Sequence, residues 1–342
     1  MNCNLIVLRF SAVLISVSLI AAPAASLSGK ARPKASGPKY GVKTPGVQIP
    51  FASLKSEAEL LAPTKPAWLF YSDSLFAPAV DHLEKIDPKT NKKADPVAGL
   101  DRPCGGMVNA FGSLWTPVCG ASGLARIDAK TLKATNTIET GVSSVQGVIA
   151  ASADSIWLLT DDKTTLARID PDQNLVVAEI RVPAGCQRLT FAETALWLAC
   201  PDKNKILRIN AATNLIEKQI EVSAQPESIA AGENSIWVLC RKEGKVDRVD
   251  PKTNKVTKTI ELSVPDVDGS IVFGEGSLWA TMTGFPLTRI EVQADTVTVA
   301  QQFYGDAGGA ITISPGALWL SNIESGALLR IDPKRVRATL PE

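Results

Sequence analysis

Two acidic residues, Glu227 and Asp268, occupy nearly equivalent places in two successive repeats of this sequence. Carboxylate oxygens are the ligands that hard cations such as Ca²⁺ and Mg²⁺ take in proteins. If the fold brings both side chains to one opening, the pair could hold such an ion. The alternative is that both are solvated loop carboxylates. No glycine-rich phosphate loop and no Gly-x-Ser-x-Gly motif accompanies them, so calcium or magnesium is the only cofactor the residues suggest.

Further polar residues fall on loops that we expect to surround the same opening. A few polar groups that converge at a concave mouth are the usual starting hypothesis for a binding site. The candidate ligand-binding residues are Gln146, Gln187, Arg188, Glu227, Asp268, Asp306, Arg241 and Tyr304. The same loops also carry Asp161, Asp162, Asp202, Glu243 and Glu324.

The chain has a single histidine, His82. Zinc sites with three imidazoles are therefore excluded, and a Ser-His-Asp triad would have to use His82 without local support. His82 follows the segment 72–81, which contains Phe76 and Pro78 and reads as a longer loop than its counterparts. Because an insertion in one repeat usually lies on a binding face, this loop is a candidate contact surface. The alternative is an ordinary surface histidine.

The elements that position these residues come from a repeat marked by tryptophan. A period of about 40 residues is typical of propeller blades. Short β-branched runs alternate with Gly, Pro, Asn and Asp turns, which indicates antiparallel strands. The sequence therefore predicts an all-β fold, a seven-bladed β-propeller of four-stranded antiparallel blades. Its seven tryptophans are Trp68, Trp115, Trp157, Trp197, Trp237, Trp279 and Trp319.

Within each blade we name the strands A to D in chain order and expect every tryptophan on strand B. A basic residue follows about 11 positions later, as Arg168 follows Trp157. This spacing places it across the B–C hairpin from the indole, where a cation–π contact contributes about 0.5–2 kcal/mol. Trp and Arg are therefore predicted to be structural. The Asp of the Asp-Pro-Lys-Thr-Asn segments is predicted to be a turn residue.

Five cysteines follow the N-terminal region, and four of them fall in pairs around an A–B hairpin. We predict the disulfides Cys104–Cys119 and Cys186–Cys200, with Cys240 left free. The alternative is that all five are buried thiols. Metal binding is disfavoured, because no Cys-x-x-Cys spacing occurs.

The N-terminus predicts export. An apolar run over residues 10–22 follows Arg9 and precedes Ala22-Pro23-Ala24, as in a secretory signal peptide. We assign residues 1–25 to the signal, 26–46 to a flexible basic Gly/Pro/Ser linker and 47–342 to the propeller. The protein is then secreted or periplasmic, with no membrane span after cleavage; an uncleaved anchor is the alternative. The linker could also touch an anionic surface.

The repeated segments Arg-Ile-Asp-Pro-Lys-Thr-Asn and Gly316-Ala317-Leu318-Trp319 carry a family resemblance. Over residues 47–340 the chain resembles the YVTN/NHL-like bacterial propellers and is similar to virginiamycin B lyase-like propellers. The lyase resemblance implies metal-assisted elimination by histidine and glutamate near the channel. A resemblance to gluconolactonase-like propellers implies a calcium ion held by carboxylate and asparagine side chains.

Composition limits the partners. The formal net charge is +1 and 45% of the residues are hydrophobic, which argues against nucleic acid as a partner. The residues favour an exported monomeric binding or scaffold module that engages a protein, peptide or glycan through the loop face around the channel. The alternative is a divalent-metal-dependent lyase or lactonase at the channel mouth. A third hypothesis, an accessory subunit of a redox enzyme, is disfavoured because the sequence has no cofactor motif.

Overall fold

A computed structural model describes residues 38–62, 64–142, 148–160, 164–294 and 296–339. Its strands begin with β1 (Gln48–Pro50) and β2 (Ala58–Leu61), which precede the first blade. Blade 1 contains β3 (Phe70–Ser72), β4 (Ser74–Pro78), β5 (His82–Asp87) and β6 (Lys92–Ala98). Blade 2 contains β7 (Val108–Ala110), β8 (Ser113–Val118), β9 (Gly123–Asp128) and β10 (Ala134–Glu139). Blade 3 contains β11 (Ile149–Ala151), β12 (Ile156–Thr160), β13 (Thr165–Asp170) and β14 (Leu175–Arg181).

The remaining blades follow the same plan. Blade 4 contains β15 (Gln187–Ala192), β16 (Ala195–Cys200), β17 (Lys205–Asn210) and β18 (Leu215–Glu221). Blade 5 contains β19 (Pro226–Gly232), β20 (Ser235–Cys240), β21 (Lys245–Asp250) and β22 (Lys255–Glu261). Blade 6 contains β23 (Gly269–Gly274), β24 (Ser277–Met282), β25 (Phe285–Gln293) and β26 (Thr296–Tyr304). Blade 7 contains β27 (Ile311–Ser314), β28 (Ala317–Ser321) and β29 (Ala327–Ile331), followed by helix α1 (Pro333–Ala338).

The seven sheets form the predicted seven-bladed propeller of antiparallel blades. The A strands of neighbouring blades contact one another around a central axis, and the D strands lie outermost. Short 3-10 turns occur at Phe51–Ser53 and Pro201–Lys203. Among the described residues, no helix has the length and apolar character needed to cross a membrane.

The ring closes through the N-terminal strands. β2 pairs antiparallel with β29 and supplies the fourth strand of blade 7. β1 pairs in parallel with β26 and gives blade 6 a fifth strand. Ahead of β1, Gly41 N–H donates to the Ser263 carbonyl at 2.7 Å, and Val42 N–H donates to Gln302 Oε1 at 2.8 Å. This stretch, which we assigned to the end of the linker, is therefore bonded to blades 5 and 6.

Six tryptophans lie on strand B, where none is exposed, and fill the core between blades. Each pairs in register with the expected arginine on strand C, as Trp237 does with Arg248. In five blades the guanidinium carbon lies 4.8–5.8 Å from the centre of the indole ring. The arginine series is therefore structural, as predicted.

Blade 1 departs from our prediction. Trp68 precedes strand A, and Phe76 occupies the tryptophan position of strand B, opposite Lys85. The prediction of Trp68 on strand B was therefore wrong, and so was the long loop at 72–81. Phe76 and Pro78 belong to β4, where Phe76 is 1% exposed. The physical reason is that Phe76 fills the core position that tryptophan occupies in the other blades, which leaves Trp68 outside strand B.

The same arginines also connect neighbouring blades. Arg168 Nη1 donates to Asn214 Oδ1 of the next blade at 3.1 Å. Three further interfaces repeat this contact at 2.8–3.1 Å, and every acceptor asparagine has a positive φ near 55–61° at the end of the C–D turn. We call it the Arg–Asn clamp; its pairs are Arg126–Asn174, Arg168–Asn214, Arg208–Asn254 and Arg330–Asn91. The turn aspartates accept backbone N–H groups, as Asp170 does from Asp172 and Gln173, which confirms their turn role.

Two disulfides join the segment before strand A to the end of strand B, one in blade 2 and one in blade 4. Cys104 is bonded to Cys119 and Cys186 to Cys200, with Cα atoms 6.0 and 3.9 Å apart. Both expected bridges are thus present, and Cys240 is a free, buried thiol.

Candidate functional site in the central channel

A channel along the axis contains two adjoining cavities. The outer cavity, of about 180 Å³, opens at the face formed by the D–A and B–C loops and is lined by Glu227, Asp268 and Thr283 among others. The inner cavity, of about 170 Å³, is lined mainly by apolar residues such as Trp68 and Met107. Four residues, Ala67, Arg188, Ser270 and Ala310, line both cavities.

Arg188 enters the channel from a β-bulge. The register between β15 and β16 shifts between Gln187 and Leu189, so Arg188 is the extra residue of strand A. Its φ is +59°, a left-handed conformation that is unfavourable for a residue with a Cβ. Bulges redirect side chains near functional sites. Burial lowers the pKa of the guanidinium, and the Glu227 and Asp268 carboxylates partly oppose that shift.

Glu227 is the second half-buried charge in the channel. Its Oε1 accepts the Gly269 backbone N–H at 3.2 Å, whereas its Oε2 is buried without a hydrogen-bond partner. Burial raises the pKa of this carboxyl from 4.5 to about 7. The hydrogen bond from Gly269 and the charge of Arg188 limit the rise, and the charge of Asp268 adds to it. Glu227 therefore exchanges a proton near neutral pH.

Asp268 lies at the rim rather than inside. Its side chain is 74% exposed, and Oδ1 lies 3.0 Å from Arg241 Nη1. Asp268 and Arg241 therefore form a solvent-exposed ion pair at the mouth. A pair in this position contributes at most about 1 kcal/mol to stability, but it sets the local charge pattern.

The arrangement is a poor fit for a divalent cation. Within the described ranges, no group of three or more His, Cys, Asp or Glu side chains could hold a metal ion. Glu227 and Asp268 do line one cavity, but Arg188 lines it too and Asp268 is paired with Arg241. Two neighbouring guanidinium groups disfavour a bound cation by charge repulsion.

The other candidate residues lie apart from this cluster. Gln187 begins strand A of blade 4 beside the bulge. Asp306 Oδ1 accepts from Asn322 Nδ2 at 2.9 Å and bridges two loops of the mouth. Tyr304 packs against the core of blades 5 and 6. Gln146, with Asp161 and Asp162, lies outside the described residues.

His82 starts strand C of blade 1, away from the channel lining. Its ring nitrogens lie 2.7 Å from Asp81 Oδ1 and 3.3 Å from Glu84 Oε1. The hydrogen bond with Asp81 is the main reason that the pKa of His82 is raised. The histidine thus belongs to a local charge cluster.

Sequence reasoning missed Trp68 as a channel residue. Its interval to the next tryptophan is the longest of the series, whereas Phe76 precedes Trp115 by about 40 residues and fits the blade period. That irregular interval was the available signal.

Comparisons with known proteins agree on the architecture. A family described as "Repeat of unknown function (DUF6923)" matches residues 228–341. No curated protein matches the chain. Virginiamycin B lyase from Staphylococcus aureus is similar in structure, with a TM-score of 0.66 and 16% identity over 80% of this chain and 98% of that one.

Two further solved structures are similar. A chain of the mitotic checkpoint complex has a TM-score of 0.70 at 11% identity, covering 83% of this chain and 96% of that one. BamB from Moraxella catarrhalis has a TM-score of 0.57 at 11% identity, covering 82% of this chain and 99% of that one. At these identities the likenesses show the propeller fold.

Proposed function

We propose that this propeller is an exported binding module that engages a protein, peptide or glycan through the loop face around its central channel. The observation that carries the proposal is the charged channel mouth. Arg188 and Glu227 are half-buried in the lining of the outer cavity, and Arg241 and Asp268 form an ion pair at the rim. Desolvated polar groups in a concave site are characteristic of binding sites.

Two features support export. The N-terminal residues have the pattern of a secretory signal. Each of the two disulfides lies within a single blade, and structural disulfides persist in oxidising compartments. We therefore propose a secreted or periplasmic, monomeric protein.

Site-specific photo-crosslinking tests which face is used. A photoreactive residue at Ile323, which is 39% exposed and lines the outer cavity, is compared with one at Leu215, which is 64% exposed on the outer strand of blade 4. We expect a defined adduct in the exported fraction from position 323 alone. Adducts from position 215 alone, or equal adducts from both, would reject the loop face as the binding surface.

One observation favours the enzymatic alternative. A carboxyl group with a pKa near 7 is suited to general acid–base catalysis, and Glu227 has one. A divalent-metal-dependent lyase or lactonase would retain a stoichiometric ion through Glu227 and Asp268. Elemental analysis of the purified protein tests this, because Glu227→Gln should then abolish metal retention. Identical metal content in both proteins would exclude this alternative.

A further inference from the structure

Seven equivalent strand-A positions surround the axis, two residues before the partner of the strand-B aromatic residue. They are Trp68, Gly106, Val148, Arg188, Ser228, Ser270 and Ala310. Five of the seven are small or short side chains, and Arg188 alone carries a charge. The scaffold therefore does not require a guanidinium at this position.

Two effects, backbone strain and desolvation of the charge, disfavour Arg188 at its position in the channel. Its backbone is left-handed at a bulge, and the channel walls desolvate its charge. The Glu227 and Asp268 carboxylates attract the guanidinium and offset part of the desolvation. Strain and desolvation of this kind are found where a side chain has a functional role.

Glu227, which lines the outer cavity, has one unsatisfied carboxyl oxygen. Glu227 Oε2 is buried and has no hydrogen-bond partner. When Glu227 is protonated, this carboxyl can donate one hydrogen bond. A guanidinium and a carboxylic acid at one cavity match the acceptor oxygens of an anion, and forked Arg–carboxylate pairs are among the stronger hydrogen-bonded contacts.

The lining of the inner cavity contains more large apolar side chains than that of the outer cavity. It shares Arg188 with the outer cavity and is also lined by Trp68, Leu69, Met107, Ile149 and Ile311. Side chains of this type favour an apolar group and offer little to the hydroxyl groups of a sugar. Together the two cavities reach the lower end of the volumes typical of small-molecule sites, about 300–1,000 Å³.

We infer that the channel binds a carboxylate carried on an apolar group, with the carboxylate at Arg188 and Glu227 and the apolar group against Trp68 in the inner cavity. This inference rests on the proposed function and specifies the chemical class of its ligand. The chemistry is shared by a free apolar acid and by the C-terminal residue of a polypeptide.

The binding should strengthen as the pH falls through 7. The charged groups around Glu227 are Arg188, Arg241 and Asp268, which come from blades 4, 5 and 6. Protonation of Glu227 removes a negative charge beside the ligand and supplies a donor, while both arginines stay charged. The ligand carboxylate itself stays ionised until about pH 4, so the gain extends from about pH 8 to about pH 5.

Calorimetry with small probes tests the ligand class on the purified full-length protein. N-acetyl-leucine is compared with N-acetyl-leucinamide, which has the same apolar group without the charge. We expect the acid to bind at least about tenfold more tightly, as a charge-assisted hydrogen bond requires. Two further probes separate the sources: N-acetyl-Ala-Ala-Leu should gain affinity for a polypeptide source, whereas hexanoate should match N-acetyl-leucine for a free acid.

Variants then test the residues. Arg188→Gln should lose about tenfold or more in affinity for N-acetyl-leucine, and Arg188→Lys should lose less. Arg102→Gln is the matched control, because Arg102 is an exposed arginine on a D–A loop outside the cavity lining. Glu227→Gln should bind the acid more tightly at about pH 8 than the unaltered protein and lose the pH dependence. A thermal melt checks that each variant is folded.

Equal binding of acid and amide, absence of binding by either, or unchanged binding in folded Arg188→Gln would overturn the inference. Its failure is distinguishable from failure of the proposed function. If position 323 still gives a specific adduct while N-acetyl-leucine neither binds nor competes, the loop face is a binding surface for another chemistry. If neither experiment succeeds, both proposals are wrong.

Discussion

Glu227 shows how one side chain can be placed for function at a cost to stability. In the folded protein its pKa is raised from 4.5 to about 7, mainly by burial, so the folded state holds the proton more tightly than the unfolded chain. Between these two pH values, folding must take up a proton or desolvate a charge. The free energy of unfolding should therefore fall as the pH rises from 4.5 through 7.

Substitution of Glu227 tests this relation. Glu227→Gln should remove the slope and raise the stability at about pH 8, by at most about 3 kcal/mol for a shift of this size. Urea unfolding at several pH values measures it, with the exposed Glu139→Gln as control. A pH slope that persists in Glu227→Gln would show that other groups cause it.

Cys240 leads to a second prediction at this scale. It follows Trp237 by the same three positions as Cys200 follows Trp197, and its register partner is Pro226. Cys186 holds the corresponding place in blade 4. Pro226→Cys should therefore form a third disulfide, with a gain of at most about 3 kcal/mol for a loop of this length. Non-reducing peptide mapping would detect the bridge, and a free thiol at both positions would show that the two blades differ in geometry.

The sequence predicted some of these residues and missed others for a physical reason. Arg188 and Glu227 could be found because they are charged residues at the D–A connections, which the repeat places around the channel mouth. Their depths could not be predicted, because the bulge at Arg188 depends on pairing with the next strand. Asp268, at a nearly equivalent position of blade 6, lies at the rim instead.

Between elements, the Arg–Asn clamp adds a repeated polar contact to the apolar packing between neighbouring blades. The asparagine serves twice, because it tolerates the left-handed end of the turn and accepts the guanidinium of the preceding blade. In the recurring Asp-Pro-Lys-Thr-Asn motif, the aspartate is thus explained by the geometry of the turn and the asparagine by its contact with the neighbouring blade.

Removal of one clamp should destabilise one interface. Asn214→Ala removes the acceptor of Arg168 Nη1 and places alanine at a φ of 61°, so we expect a loss of about 1–3 kcal/mol in the free energy of unfolding. Asn136→Ala, on an exposed position of β10, is the control. Denaturant unfolding of both variants gives the comparison. Equal stability of the two variants would mean that the clamp contributes nothing.

The blade number and the strand order could be predicted because each repeat carries its own signals close together in sequence. These are the tryptophan, the arginine about 11 residues later and the turn residues. Blade 1 could not be placed by tryptophan alone, since Phe76 fills the core there and Trp68 lies at the channel. The strand that closes the ring, β2, could not be predicted from the sequence either. Its pairing of Ala58 with Arg330 joins segments from opposite ends of the propeller and leaves no local signal.

At the scale of the whole molecule, the N-terminal segment holds the ring at two adjacent blades. Gly41 is essential to this contact, since its φ is +94° and a Cβ there would collide with Gln48, Gln302 and Phe285. Gly41→Ala should therefore release residues 38–47 and increase their amide hydrogen exchange, with little change in the blades. Gly99→Ala is the control, because Gly99 has a φ of +79° and a Cβ added there would meet nothing within 4 Å. Unchanged exchange in Gly41→Ala would show that the segment is held by β1 alone.

The closing contact also decides when the molecule can become native. Ser321 Oγ donates to the Pro66 carbonyl across 255 residues of chain, next to the pairing of β2 with β29. Blade 7 cannot complete its sheet until the earliest strands and the last ones meet, and contacts of such high order make folding slow. Partly folded chains would carry an unpaired edge at β29 during that time, and open edges promote association between chains. The topology of the ring thus makes the lifetime of this open edge depend on the rate at which the two ends of the propeller meet.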